Sequence, residues 1–180
     1  MGIRFRHFTL CLAAHCIGML LLASLNYTLA PFSLHLSLSG LYIPFPALTL
    51  PFRTGLLCVF LTGLLLDAGL PFPFGTSATF FSISFTSIFL LRSFLRWEQN
   101  AHLVFFALVL NAFYSVFLFL FSGGEALAMG VYWVRGLTDV LISSLLLLFV
   151  GGWFYDLQRG LIEISGIDLA RELRELHFFD

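Results

Sequence analysis

Between Arg6 and Arg53 the chain carries no Asp, Glu, Lys or Arg, and the intervals 68–91, 99–124 and 140–155 are equally free of formal charge. A helix needs roughly 20 apolar residues to cross a hydrocarbon core about 30 Å thick. Uncharged intervals of this kind leave a 180-residue chain room for about six crossings and for no separate extramembrane domain. Composition points the same way. Hydrophobic residues make up 59% and charged residues 11%, against about a quarter charged in a soluble domain. A soluble enzyme with a charged shell is excluded, and so is a disordered chain, since 23 Phe oppose that signature. Nine arginines, no lysine and a net charge of −1 provide no basic field for nucleic acid. The expected fold is all-α: a polytopic membrane protein forming a compact bundle of about six transmembrane helices over 1–155, with a short cytoplasmic tail over 156–180.

The expected spans are Phe8 to Leu25, Ser33 to Leu50, Arg53 to Asp67, Thr76 to Leu95, Ala101 to Phe121 and Val134 to Phe154. The first follows a short basic leader, but its apolar run is long for a signal peptide and more spans follow, so it reads as an uncleaved helix. The second contains Pro44 and Pro46 and ends at Pro51, and each proline frees a carbonyl from its helical partner. That stretch must be a kinked helix or a sheltered re-entrant one, and the kinked crossing is the expectation. The third rises only about 21 Å from Arg53 to Asp67, which puts Asp67 at or just inside the far interface.

Arginine placement sets an orientation. With six crossings, Arg4, Arg6, Arg53, Arg92, Arg96, Arg159, Arg171 and Arg174 share one side and Arg135 alone takes the other. Positive charge marks the cytoplasmic side, so both termini are expected there. Tyr27, Tyr132 and Trp133 would mark the outer interface, and Trp97, Trp153 and Tyr155 the inner one. After Tyr155, Leu157, Leu161 and Ile164, then Leu169, Leu173 and Leu176, fall at helical spacing, interrupted by Gly160 and Gly166; a short interfacial helix or a solvated cap both fit.

Catalytic patterns are scarce. The chain has no HExxH, GxSxG, P-loop or dinucleotide fingerprint. His7, His15, His35, His102 and His177 are scattered; His15 and His35 lie within apolar spans, where an interhelical hydrogen bond is expected before a ligand role. Cys11, Cys16 and Cys58 are odd in number, lack CxxC spacing and read as buried free thiols. Asp67 and Asp139 raise the idea of an intramembrane aspartyl protease. Neither has a glycine directly before it, and Arg135 lies one turn from Asp139, favouring an ion pair over a shared proton. No catalytic residue, cofactor or metal site is expected.

Packing is the better use for these residues. Gly55, Val59, Gly63 and Asp67 recur every four positions and lie on one helix face, where small residues admit a close neighbour. An Asp67–Arg135–Asp139 network is expected at the end of that face, with separate capping of two helices as the alternative. Backbone N–H groups of the Gly69 to Gly75 turn are the other holder the sequence offers Asp67, and the choice between the two stays open at this point. Phe81, Phe85 and Phe89 form an aromatic stripe in the fourth span that either a tight bundle or a partner face would use.

The run Arg53-Thr54-Gly55 through Gly63-Leu64-Leu65-Leu66-Asp67, followed by Pro73-Phe74-Gly75, resembles the third-helix signature of the MreD family of rod shape-determining membrane proteins. The match rests on a G-L-x-x-D ending and a P-x-G before the next helix. The chain departs from the family at Ile43-Pro44-Phe45-Pro46, where no acidic residue stands. The resemblance implies a non-catalytic component of the wall-elongation complex in the bacterial inner membrane. Its implied partners are an MreC-like single-span protein and, indirectly, MreB filaments, a RodA-like glycosyltransferase and a penicillin-binding transpeptidase. It also implies a bundle similar to the substrate-binding subunits of energy-coupling-factor transporters. That similarity supplies the rival function, a small-molecule transport subunit, for which the outer half offers Asn26, Ser37 and Glu125 and little more.

Overall fold

The computed structural model describes residues 2–32, 34–70, 73–92, 100–121, 130–164 and 166. Arg96, Trp97, Glu125, Arg171, Arg174, His177 and the apolar pattern from Leu169 lie outside them, as do the side chains of Arg4 and Tyr132. Among the described residues the chain is helical without a strand: α1 Gly2–Leu29, α2 Pro44–Thr49, α3 Phe52–Asp67, α4 Thr76–Leu91, α5 Asn100–Phe121 and α6 Gly130–Ile164. α1, α5 and α6 are long and apolar enough to cross a membrane. The protein is therefore a membrane-embedded helical bundle. α3 and α4, at 16 residues each, rise only about 24 Å.

Each helix turns a narrow stripe inward. On α4 it is Ser77, Ala78, Phe81, Ser84, Phe85 and Ile88; on α5 it is Leu103, Val104, Ala107, Asn111 and Tyr114. Steps of three and four residues are those of one helix face. The opposite faces stay apolar, with Leu20, Ile83, Phe105 and Phe149 exposed. In lipid such faces carry no hydrophobic penalty, so the sequence never needed a polar outer stripe.

The stretch expected as one kinked helix over Ser33 to Leu50 is built differently. Residues 34–38 are neither helix nor strand, Ser39–Tyr42 form a 3-10 turn, and only Pro44–Thr49 is α-helical. The prolines explain the break. Pro44 and Pro46 sit in the first turn of α2 and Pro51 immediately precedes α3, positions where no helical N–H is required of them. The segment nonetheless travels far. His35 N–H donates to Asp139 Oδ1 (3.2 Å), Ser37 N–H to Ser143 Oγ (2.9 Å), and Tyr155 O–H to the Leu41 carbonyl (3.1 Å). From Asp139 to Tyr155 α6 rises about 24 Å, so the broken segment runs beside it for most of the hydrocarbon thickness.

Irregular backbone at this depth survives only where protein encloses it. Every residue from 38 to 50 is buried, the 3-10 turn against α5 and α2 against α3, α4 and α5. Side chains replace the missing helical ladder. Asn26 Nδ2 donates to the Leu36 carbonyl (2.9 Å) while Asn26 Oδ1 accepts from Leu36 N–H (2.8 Å). Asn111 Oδ1 accepts from Ser39 Oγ (3.2 Å) and Gly40 N–H (3.4 Å).

Two further expectations change at the last helix. α6 runs from Gly130 to Ile164 without a break, through the interruption expected at Gly160. No proline follows Pro73, and Gly160 alone does not stop a helix. Tyr155, expected at an interface, is instead fully buried and stacks on Phe45 with ring centroids 6.3 Å apart. Its hydroxyl serves the broken segment.

Candidate functional site

Three residues of the 53–78 signature converge on the first turn of α4. α3 and α4 pack on each other, and at Gly63 their backbones come close. A Cβ at Gly63 would come within 2.5 Å of Ala78 Cα and 2.8 Å of Ala78 N. Four residues later, Asp67 reaches the open N-terminus of α4. Its Oδ2 accepts from Gly75 N–H (2.9 Å) and Ala78 N–H (3.3 Å), and its Oδ1 from Ser77 N–H (2.8 Å). These are orphan donors that a helix start must place somewhere, and the helix dipole favours a carboxylate there. Gly75 completes the unit with φ of +97°, a left-handed turn that side chains rarely adopt.

The backbone cluster therefore holds Asp67, and the ion pair with Arg135 does not form. Arg135 is exposed on the first turns of α6 and, among the described residues, makes no ion pair. Asp139 receives His35 N–H in place of an arginine. The physical reason is supply: the first turn of α4 offers Asp67 three donors at contact distance, with no desolvated cation needed.

The remaining candidates lie inside the bundle. A Cβ at Gly55 would meet the Phe85 ring at 2.7 Å and the Pro46 carbonyl oxygen at 3.2 Å, so this position makes room for an aromatic ring and for α2. Phe81 and Phe85 are each 0% exposed. Phe89 is partly buried, contacts Phe52 edge-to-face (5.1 Å), and carries the Arg92 guanidinium 4.0 Å above its ring. The stripe expected as either core or partner face is core for its first two members.

Reasoning from the sequence missed a cavity. Near the Asp67 end of the bundle lies a space of about 650 Å³, lined by α1, the broken segment, α5 and α6. Asn26, Ser37, Ser39 and Ser143 on its wall spend hydrogen bonds on the broken segment. Arg135, the Asp139 carboxylate and the His35 side chain also line it and hold the remaining polar capacity. Arg135, Asp139 and Ser143 share one face of α6 at four-residue steps, but Asn26 and His35 come from other elements, so spacing announced one wall and not the enclosure. Farther down α1, Cys11 and His15 meet Cys58 of α3, three residues expected to act separately. The only advance signal was the four-residue step from Cys11 to His15. The chain matches no protein-family model, no curated protein and no solved structure.

Proposed function

We propose that the protein is a non-catalytic membrane component of the bacterial wall-elongation machinery, of the kind the MreD resemblance implies, with six crossings and both termini cytoplasmic. The observation that carries this reading is the joint between α3 and α4. Gly63, Asp67 and Gly75, the positions that match the family signature, meet at one contact and act as one structural unit. The quoted motif thus corresponds to one folded element, and this supports the reading. Charge distribution supports the orientation. Arg53 and Arg92 flank the Phe52–Phe89 contact at one end, and Arg159 lies one turn beyond Asp156 at that same end, whereas Arg135 lines the cavity at the other. Asn26, Asp67 and Tyr155 are spent on backbone, and the chain works through the shape of its lipid-facing helices on partner spans.

Depletion in a rod-shaped host and recovery of partners from detergent-solubilised membranes test the proposal. Rounded cells and co-purification of a single-span protein with a periplasmic coiled coil are the expected results. Normal shape with no such partner refutes it. The cavity favours one second reading, a small-molecule transport subunit, because 650 Å³ lies within the range of ligand pockets. Under that reading depleted cells keep their shape and lose uptake of a vitamin-sized solute, and Arg135→Ala abolishes that uptake.

A further inference from the structure

Cys11 Sγ, Cys58 Sγ and one ring nitrogen of His15 lie within 4.8 Å of one another, and all three residues are at most 1% exposed. Ligands around a zinc ion, at bond lengths of about 2.0–2.3 Å, stand roughly 3.5–4 Å apart. Cys11 Sγ and His15 Nε2 are already at 3.7 Å. The remaining separations exceed those of bound ligands by about 1 Å at most.

The hydrogen bonds fix which nitrogen is available. Thr62 Oγ1 donates its single proton to the Cys58 carbonyl (2.8 Å). It can therefore only accept from His15 Nδ1, 3.0 Å away, so Nδ1 carries the imidazole proton. Neutral His15 then presents a bare lone pair at Nε2, the atom that faces Cys11. Ring packing holds this orientation: Tyr42 meets the imidazole edge-on at 5.1 Å and Phe154 stacks at 6.5 Å. An outer hydrogen bond that sets tautomer and direction is how ligating histidines are usually prepared.

We infer that Cys11, His15 and Cys58 form a buried site for a thiophilic d10 metal ion that ties α1 to α3. Thiolates and imidazole select Zn(II) and Cu(I) over hard cations. Charge favours zinc. Binding displaces one proton from each thiol to solvent, and Zn(II) with two thiolates, a neutral imidazole and an enclosed water as fourth ligand leaves zero net charge in a low-dielectric core, whereas three donors alone suit Cu(I). Because the site is closed, the ion enters during assembly of the bundle.

The test uses the full chain expressed with added zinc or, separately, copper, then purified in detergent under reducing conditions. Elemental analysis and intact mass are the readouts. One zinc per chain is expected, absent in Cys11→Ala and Cys58→Ala and retained in Cys16→Ala, the neighbouring cysteine outside the cluster. Copper at the same stoichiometry with the same residue dependence also supports the site and identifies its ion as Cu(I). Thr62→Val, which keeps the side-chain shape but releases Nδ1, should weaken metal affinity about 10–100-fold. Should the alanine variants fail to accumulate, wild-type protein grown with cobalt should show thiolate-to-cobalt charge-transfer absorption. Wild-type protein free of both zinc and copper, metal retained without Cys58, no cobalt–thiolate absorption from a chain that also takes up no copper, or a mass lighter by two hydrogens from a Cys11–Cys58 disulfide would each overturn the inference.

Discussion

Replacing Asp67 by asparagine separates the backbone-cap account from an ion-pair account. The shape barely changes, but one acceptor oxygen becomes an NH2 donor. Asn can keep the Ser77 N–H bond at the Oδ1 position, whereas its amide nitrogen would face Gly75 N–H and Ala78 N–H, donor against donor. A buried donor left without a partner costs about 1–3 kcal/mol. The Ala78 contact is long at 3.3 Å and the Gly75 contact only part-buried, so the combined loss should be about 2–4 kcal/mol. At about 2–4 °C per kcal/mol for a chain of this size, the unfolding midpoint should fall by about 5–15 °C. Thermal unfolding of the detergent-solubilised protein, followed by tryptophan fluorescence, reads this directly. Arg135→Gln is the companion, and it should shift stability by no more than about 0.5 kcal/mol. An unchanged Asp67→Asn midpoint, or an Arg135→Gln loss as large as that of Asp67→Asn, would refute the reasoning.

Gly63→Ala puts a methyl group against the Ala78 backbone, which cannot rotate away, and should cost about 1–3 kcal/mol in the same melt. Tyr155→Phe removes the donor to the Leu41 carbonyl and leaves that acceptor buried inside the bundle. A loss of about 1–3 kcal/mol is expected, measurable by denaturant titration in mixed micelles. For orientation, Ala30→Cys should react with an impermeant thiol reagent added outside intact cells and Gly160→Cys only after lysis; labelling of both from the same side defeats the six-crossing proposal.

What the sequence determined by itself was the solvent and the secondary structure that solvent enforces. Long uncharged intervals admit only a membrane, and a membrane demands internally satisfied backbone, so α1, α5 and α6 follow from composition and length alone. The three prolines at 44, 46 and 51 announced trouble in the second stretch, yet its course was beyond them. Whether it becomes a kinked helix, a hairpin or a broken crossing depends on donors and acceptors held elsewhere: Asn26 on α1, Asn111 on α5, and Ser143 and Tyr155 on α6. Spacing placed Gly63 and Asp67 on one face of α3, but only the packing of α4 supplied the N–H groups that Asp67 accepts from. Arg135 looked like its partner because both stood near one depth. Depth along a helix is readable from a sequence; azimuth relative to a neighbour is not, since it depends on how two helices rotate when their small residues meet. Cys11, His15 and Cys58 obey the same rule. Helical spacing aligned the first two, and only the docking of α3 on α1 brought the third within reach.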